Sequence, residues 1–181
     1  MRQITKKNYL NKLTENKSLA YKITFIILLS WIYAIGSQIY ITLPFEFIPI
    51  TLQTFMIFLS PFIFGNLAFY ATALWLFQGL LGFPVFFELS GGFTHLMGPS
   101  GGYLIGFLFS SYYLSNVKSK NILILYLNLF ISLIILHTCG IFHSTKFSPL
   151  NINAILFFLI DLIKITFIPF IICKNKKDIF N

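Results

Sequence analysis

Acidic residues are scarce in this chain, whose 181 residues include only five Asp and Glu against 13 Lys and Arg. Charged residues of both signs make up 10% of the sequence, whereas 57% is hydrophobic and the mean hydropathy is +0.82. A soluble domain of this length could not bury so much apolar surface. The composition therefore excludes a soluble globular protein and predicts an integral membrane protein.

Cysteine is also rare. The chain has two cysteines, Cys139 and Cys173, which lie in different apolar runs. Two separated cysteines give neither a disulfide framework nor a metal framework. His137 and His143 lie close to Cys139, but their spacing fits no metal-binding pattern, and packing at the membrane interface is the favoured interpretation. We therefore expect no metal site and no resident cofactor.

Motifs of catalysis and nucleotide binding are missing too. The sequence has no phosphate-binding glycine loop, no HExxH motif and no Ser/His/Asp set on plausible elements. Its net charge of +8 invites a nucleic-acid interpretation. However, most of the basic residues flank the apolar runs, as cytoplasmic segments of membrane proteins do. We therefore expect neither an enzyme nor an ATPase, and no nucleic-acid partner.

Six apolar runs are separated by turn signals and polar connectors. A helix of about 20 residues crosses the hydrocarbon of a bilayer, and some of the runs are shorter. The pattern predicts an all-α integral membrane protein with six transmembrane helices and irregular or re-entrant outer loops. The predicted spans are residues 23–41, 54–64, 67–81, 103–116, 122–141 and 153–173.

The distribution of basic residues predicts the topology. With six spans and both termini inside, the inner segments hold eleven of the 13 Lys and Arg. The positive-inside rule therefore favours an even number of spans. We expect a basic cytoplasmic segment at 1–22, a membrane domain at 23–173 and a basic cytoplasmic tail at 174–181, in a multi-pass protein of the cell membrane.

The stretch from Gly82 to Tyr103 contains six of the chain's eleven glycines. Pro84 and Pro99 prevent a helix from running straight through it. Irregular backbone near a bilayer persists only where protein or a water-filled cavity satisfies its polar groups. The stretch is predicted to be a shaped loop, and a ligand-binding loop and a plain connector both remain open at this point.

Two ionisable residues lie inside the sixth predicted span. Asp161 and Lys164 are three residues apart and therefore share one face of a helix. Each would cost about 3 kcal/mol at the centre of a bilayer, so such residues normally face a cavity or a partner. They mark either a functional site or a pair that neutralises itself and fixes a helix.

Four segments in this order and spacing resemble the BioY family, the biotin-specific substrate-binding (S) components of energy-coupling factor (ECF) vitamin transporters. They are 48–54 (IPITLQT), 79–86 (GLLGFPVF), 98–107 (GPSGGYLIGF) and 161–164 (DLIK). The resemblance covers roughly residues 23–173. It implies six helices that hold biotin in an outward-facing pocket closed by the loops between the first and second and the third and fourth helices.

The resemblance also implies partners and site residues. Small residues of the first helix, Ser30 and Ala34, would contact a transmembrane coupling subunit that two ATPase subunits drive. The ureido-contacting residue is placed at Ser90, although the stretch after Phe86 departs from the family pattern. The residues expected to bind biotin are Gln53, Ser90, Gly91, Gly92, Ser100, Gly101, Gly102, Tyr103, Asp161 and Lys164.

Two other functions stay open. The same scaffold could bind another vitamin or a biotin precursor. A small intramembrane enzyme could instead use Asp161 with a loop histidine such as His95.

Overall fold

The structure is a computed structural model that describes residues 18–42, 48–119, 121–147 and 152–177, with side chains of the last segment described for 155–172. The described part is mostly helical, with one two-stranded hairpin. Its elements are α1 (Leu19–Gln38), β1 (Tyr40–Ile41), β2 (Ile50–Thr51), α2 (Gln53–Phe64), α3 (Asn66–Leu80), α4 (Phe93–Met97), α5 (Gly101–Ser115), α6 (Ile122–Ser144) and α7 (Ile152–Lys177).

Each of the six apolar runs coincides with one of the longer helices. Three helices are long and apolar enough to cross a membrane: α1, α6 and the 155–172 part of α7. The helices α2, α3 and α5 have 12, 15 and 15 residues. At 1.5 Å per residue they are shorter than the hydrocarbon core of about 30 Å. Length and composition therefore identify three candidate spans in the described residues.

Local chemistry sets several of the helix boundaries. Ser18 caps α1 by accepting a hydrogen bond from the Tyr21 N–H at 3.3 Å, and Asn121 caps α6. Gly65, at a φ of 59°, separates α2 from α3, as the Gly-Asn turn signal indicates. Neither Thr51 nor Thr54 caps α2. Leu52 holds the N-cap position without a side-chain bond, because Thr51 lies in β2 and the Thr54 hydroxyl is directed to Asp161.

Close packing of α5 against α6 brings the glycine-rich motif into the core. A Cβ on Gly106 would lie 2.9 Å from the Leu136 carbonyl oxygen and 3.1 Å from its Cα. The Ser110 hydroxyl donates to the Ser132 carbonyl across the same interface at 2.9 Å. Glycine permits this approach because small residues let helix backbones come together.

The outer surface is apolar. On α1 the side chains of Leu28, Trp31, Ile32 and Ile35 are all exposed. A soluble protein rarely exposes so continuous an apolar surface, whereas a lipid-facing helix requires one. The surface agrees with the membrane class that the composition predicts.

The small residues of the first helix lie at an internal helix contact. Ser30 and Ala34 are buried inside the protein, at 0% and 5% exposure, and Ala34 belongs to the main core. Small side chains do mark a close helix contact here, but the contact is internal. Both side chains therefore pack within the chain, and their predicted contact with a coupling subunit stays a prediction.

The α5–α6 interface yields a stability prediction. Replacing Gly106 with Leu should lower the free energy of unfolding by about 1–3 kcal/mol, because the added side chain meets α6 backbone that cannot move aside. Replacing the neighbouring Ile105 with Leu, which keeps the side-chain volume, is the control and should change stability little. The thermal midpoint of each purified variant in detergent measures the effect, and equal midpoints would contradict the described packing.

Candidate functional site

A cavity lies among helices α2, α5, α6 and α7, below the hairpin and the loop that precedes α5. It contains about 690 Å³ of space between its lining atoms, counting the part that opens to solvent. Its lining is mostly apolar with a few convergent polar groups, as is typical of small-molecule sites. The lining residues are Ile48, Pro49, Ile50, Thr51, Gln53, Thr54, Trp75, Phe86, Phe87, His95, Ser100, Tyr103, Leu104, Phe107, Leu136, His137, Phe157 and Asp161.

Asp161 and Lys164 form an ion pair beside this cavity. The Lys164 ammonium donates to the Asp161 Oδ1 at 2.7 Å and to the Thr51 carbonyl at 2.8 Å. The Thr54 hydroxyl donates to the other carboxylate oxygen, Oδ2, at 3.4 Å. The two charges therefore neutralise each other, which agrees with the interpretation of Asp161 and Lys164 as a pair that fixes a helix. Because Asp161 also lines the cavity, the same pair can take part in a site.

His137 is the third ionisable member of this cluster. Its Nε2 lies 3.4 Å from the Asp161 Oδ2, although the two atoms are not aligned for a hydrogen bond. The ring is held between Tyr103 and Phe158, with edge-on centroid distances of 5.5 and 5.3 Å. His137 therefore presents a buried, firmly packed imidazole to the cavity.

Unpartnered polar atoms also line the cavity. Within the described residues, neither nitrogen of His137 has a hydrogen-bond partner, nor has the Nε2 of Gln53. Both side chains are nearly fully buried and both line the cavity. Buried polar groups are normally paired with protein or ordered water. These donors and acceptors are therefore available to water or to a bound molecule.

A second polar cluster fixes the wall made by Phe86 and Phe87. The Gln38 side-chain amide donates to the Phe86 carbonyl at 2.7 Å and accepts from the Leu89 N–H at 3.0 Å. The Val85 carbonyl accepts from the Ser37 hydroxyl at 2.9 Å and from the indole of Trp75 at 3.0 Å. Side chains of α1 and α3 thus hold the backbone of the loop.

The loop needs this support because its backbone is strained. Glu88 and Leu89 have φ angles of 56° and 52°, a left-handed conformation that non-glycine residues rarely adopt. Such residues cost about 1–3 kcal/mol each and persist where surrounding contacts enforce them. The described loop thus has a definite shape, made of a turn at Phe87–Leu89 and the short helix α4.

The structure brings only some of the predicted ligand-binding residues to the cavity. Gln53, Ser100, Tyr103 and Asp161 line it, and Lys164 is one contact away, bonded to Asp161. The others lie outside the lining. They are Ser90, whose hydroxyl donates to the Phe87 carbonyl, together with Gly91, Gly92, Gly101 and Gly102.

Sequence reasoning missed several residues of the site. His137 was attributed to interfacial packing, and Gln38 was given no role. Their signals are weak in one sequence, because each helix contains several other polar residues and the sequence does not show which of them face the cavity. Trp75, Phe86 and Phe87 could not be separated from the many other aromatic residues, since all 23 Phe suit lipid contact equally well.

Comparison with known proteins decides the family. The model of the BioY family matches residues 6–179 of the chain. The chain belongs to the BioY family. Because the match extends over nearly the whole sequence, it includes the cavity and both polar clusters.

Individual relatives agree with this assignment. The chain is 29% identical over 134 residues to a "Probable biotin transporter BioY" of Pyrococcus horikoshii, covering 73% of this chain and 79% of that one. It is 31% identical over 147 residues to a "Probable biotin transporter BioY" of Rickettsia prowazekii, covering 78% and 75%. It is 37% identical over 82 residues to the "Biotin transporter BioY" of Thermotoga maritima, covering 45% and 48%.

One solved structure has the same fold. It is described as the S-component for biotin from an ECF-type ABC transporter, and it superposes with a TM-score of 0.75 at 22% identity, covering 87% of this chain and 92% of that chain. The helical arrangement of this BioY chain is therefore shared with a solved membrane transport protein.

Gln38 gives a test of the loop clamp. Replacing Gln38 with Leu removes the hydrogen bonds to Phe86 and Leu89, each worth about 1 kcal/mol. Together they are worth about 2 kcal/mol, so we expect amide hydrogen exchange of residues 85–90 to become about 30-fold faster.

Gln78 is the matched control for this test. Its Oε1 has no hydrogen-bond partner among the described residues, so Gln78→Leu should leave exchange in residues 85–90 unchanged. Equal exchange in the two variants would show that Gln38 does not hold the loop.

Proposed function

We propose that this BioY chain is the biotin-binding substrate component of an ECF-type vitamin uptake transporter. It acts as a transporter component and not as an enzyme. The family match and the names of the relatives support the ligand class. The observation that carries the proposal is the partly enclosed aromatic cavity that has an ion pair beside it and an imidazole and an unpartnered amide nitrogen in its lining.

Biotin has the chemistry that such a cavity requires. Its thiolane ring and valeryl chain are apolar and suit walls of Trp75, Phe86 and Phe107. Its two polar ends, a ureido ring and a carboxylate, need directed hydrogen bonds, because a polar group buried without a partner costs free energy. Apolar packing then supplies most of the affinity, and the polar groups fix the orientation.

Lys164 is our candidate for the carboxylate contact. Two of its three N–H donors are used among the described residues, by Asp161 and by the Thr51 carbonyl. The third can reach a ligand carboxylate directly or through a water molecule. Asp161 holds the ammonium in place, so the pair forms a prearranged receptor. Gln53, Ser100 and Tyr103 complete the contacts, and Ser90 with the neighbouring glycines acts through the shape of the loop.

The way that helix ends meet supports a proposal of six membrane spans. Ser115, which ends α5, donates to the carbonyl of Gly65 in the α2–α3 turn at 3.2 Å. At the other ends, His143 of α6 bonds to the Gly98 carbonyl at 3.1 Å, and Gln38 of α1 bonds to the loop at Phe86. These two groups of ends support an up-and-down order with both termini in the cytoplasm. The short helices α2, α3 and α5 would then cross a locally thinned or protein-covered region.

Transport requires partners in this proposal. Nothing in the sequence binds ATP, so two ATPase subunits and a transmembrane coupling subunit supply the energy, as the family resemblance implies. The buried Ser30 and Ala34 give no support to a coupling contact at that pair. A docking surface on α1 would have to use its exposed apolar side chains.

Labelling with a membrane-impermeant thiol reagent tests the topology. In a cell expressing the chain without its own cysteines, Thr145→Cys should react from outside and Asn116→Cys should not, since the six-span order puts them on opposite sides. Both positions are exposed and lie at helix C-termini, so they form a matched pair. Reaction of position 116 from outside would exclude the six-span order.

The ligand contact is tested by comparing biotin with biotin amide. Replacing Lys164 with Met should weaken biotin binding by about 2–5 kcal/mol, as for truncation of one side of a buried charge pair. The amide lacks the carboxylate charge and should lose much less. Equilibrium binding of both ligands to purified protein gives the two values.

A double variant separates this effect from a folding defect. Lys164→Met leaves Asp161 buried and unpaired, which is itself destabilising. The variant Lys164→Met with Asp161→Asn removes both charges and should still discriminate against biotin relative to its amide. Equal losses for both ligands in well-folded protein would exclude the carboxylate role.

A panel of competing vitamins tests the ligand itself. Excess unlabelled biotin should displace radiolabelled biotin from purified protein, while other vitamins and biotin precursors should not. Displacement by another compound at lower concentration would favour the alternative substrate. Recovery of the ligand in a chemically changed form would favour the alternative that the chain is an intramembrane enzyme.

A further inference from the structure

His137 is a polar group of the cavity that the proposed function leaves unused. It lies on α6, is 3% exposed, and its two nitrogens have no hydrogen-bond partner within the described residues. Its ring is fixed by Tyr103 and Phe158, so the imidazole cannot turn away from the cavity without losing both contacts. A buried imidazole with no partner needs an explanation.

The charges around the site provide an explanation for the unpartnered imidazole of His137. The Asp161 carboxylate and the Lys164 ammonium cancel each other across 2.7 Å. A ligand carboxylate that joins them leaves a net charge of −1 in a partly buried site. Uncompensated charge is strongly disfavoured where the dielectric constant is low. One additional positive charge is required for the liganded site to be neutral.

The groups that face His137 limit where this charge can come from. From α7 it meets Asp161 and Phe158, from α5 Tyr103, and from the cavity wall formed by α2 the uncharged Gln53 and Thr54. His95 of α4 lines the same cavity but packs against Phe86 and Phe87. Of the two cavity histidines, His137 is the one within 4 Å of the cluster carboxylate, at 3.4 Å.

We propose that His137 takes up a proton when the ligand carboxylate binds, so that two cations and two anions form a neutral cluster. This inference rests on the proposed function, since it assumes an anionic ligand beside Lys164. The proton comes from solvent through the open side of the cavity and returns to solvent when the ligand leaves. No covalent bond changes. His137 is then a specificity-determining residue that favours a carboxylate over a neutral end group.

Proton uptake has a definite sign in the pH dependence. The bound state holds more protons than the free state, so the affinity falls as the pH rises. Where uptake reaches one proton per ligand, the dissociation constant rises tenfold per pH unit. The ligand's own carboxylic acid is ionised throughout pH 7–9 and does not contribute. An imidazole is the side chain best suited to gain a proton near this range.

Calorimetry of wild-type protein tests the inference directly. Titrating biotin in buffers of different ionisation enthalpy gives the number of protons taken up, which should be clearly above zero at neutral pH. Biotin amide, which brings no charge, should show uptake near zero and a flat pH profile. Tight binding of biotin with no proton uptake would overturn the inference without any variant.

The three histidines of the chain provide matched variants. His137→Phe keeps an aromatic ring between Tyr103 and Phe158 and should abolish both the proton uptake and the pH dependence for biotin. His95→Phe and His143→Phe should retain the uptake, whatever they do to affinity. If His137→Phe does not fold, as judged by its thermal midpoint, His137→Gln should give the same loss of uptake.

Other outcomes assign the proton elsewhere. Uptake that persists in His137→Phe and disappears in Asp161→Asn would mean that the carboxylate is protonated instead. Uptake that disappears only in His95→Phe would place the ligand carboxylate away from the cluster. Either result overturns the role of His137 while leaving biotin binding intact. Absence of biotin binding by folded wild-type protein would overturn the proposed function itself.

Discussion

The largely buried ion pair of α7 is the constraint on which the architecture of the site depends. Two charges removed from water need close, well-directed partners, or the desolvation cost exceeds their attraction. Here the Lys164 ammonium bonds to the β2 backbone at Thr51, and the Asp161 carboxylate meets Thr54 of α2 and approaches His137 of α6. One pair on a single helix thereby fixes three neighbouring elements and determines where the cavity can form.

A second set of polar contacts closes the cavity from the side of α1 and α3. There the apolar wall depends on backbone carbonyls of the loop, which Gln38, Ser37 and Trp75 satisfy. Irregular backbone at membrane depth is tolerated only when protein or a water-filled cavity satisfies its polar groups. The strained residues Glu88 and Leu89 are held by the same contacts. The two polar clusters therefore shape the cavity together: one places charged and polar groups beside it, and the other holds its aromatic wall.

Helix positions could be predicted from the sequence because apolar runs and turn residues such as Gly65 are local signals. The pairing of Asp161 with Lys164 could also be predicted, because a separation of three residues places both side chains on one helix face. The internal position of Ser30 and Ala34 could not be predicted. Small residues mark close packing in a membrane, but packing against a partner and packing within the chain leave the same pattern. His137 and Gln38 depend on contacts between distant segments, which one sequence does not reveal.

The unpartnered atoms of the cavity explain how such a site can be both stable and selective. In the empty protein, water entering from the open side can bond to the Gln53 amide and the His137 ring, so neither is buried at full cost. A ligand that displaces this water must replace its hydrogen bonds, or the site loses more than it gains. Apolar contact with the aromatic walls favours many ligands of suitable size. The polar atoms therefore decide among those ligands, because only a molecule with matching donors, acceptors and charge can displace the water without loss.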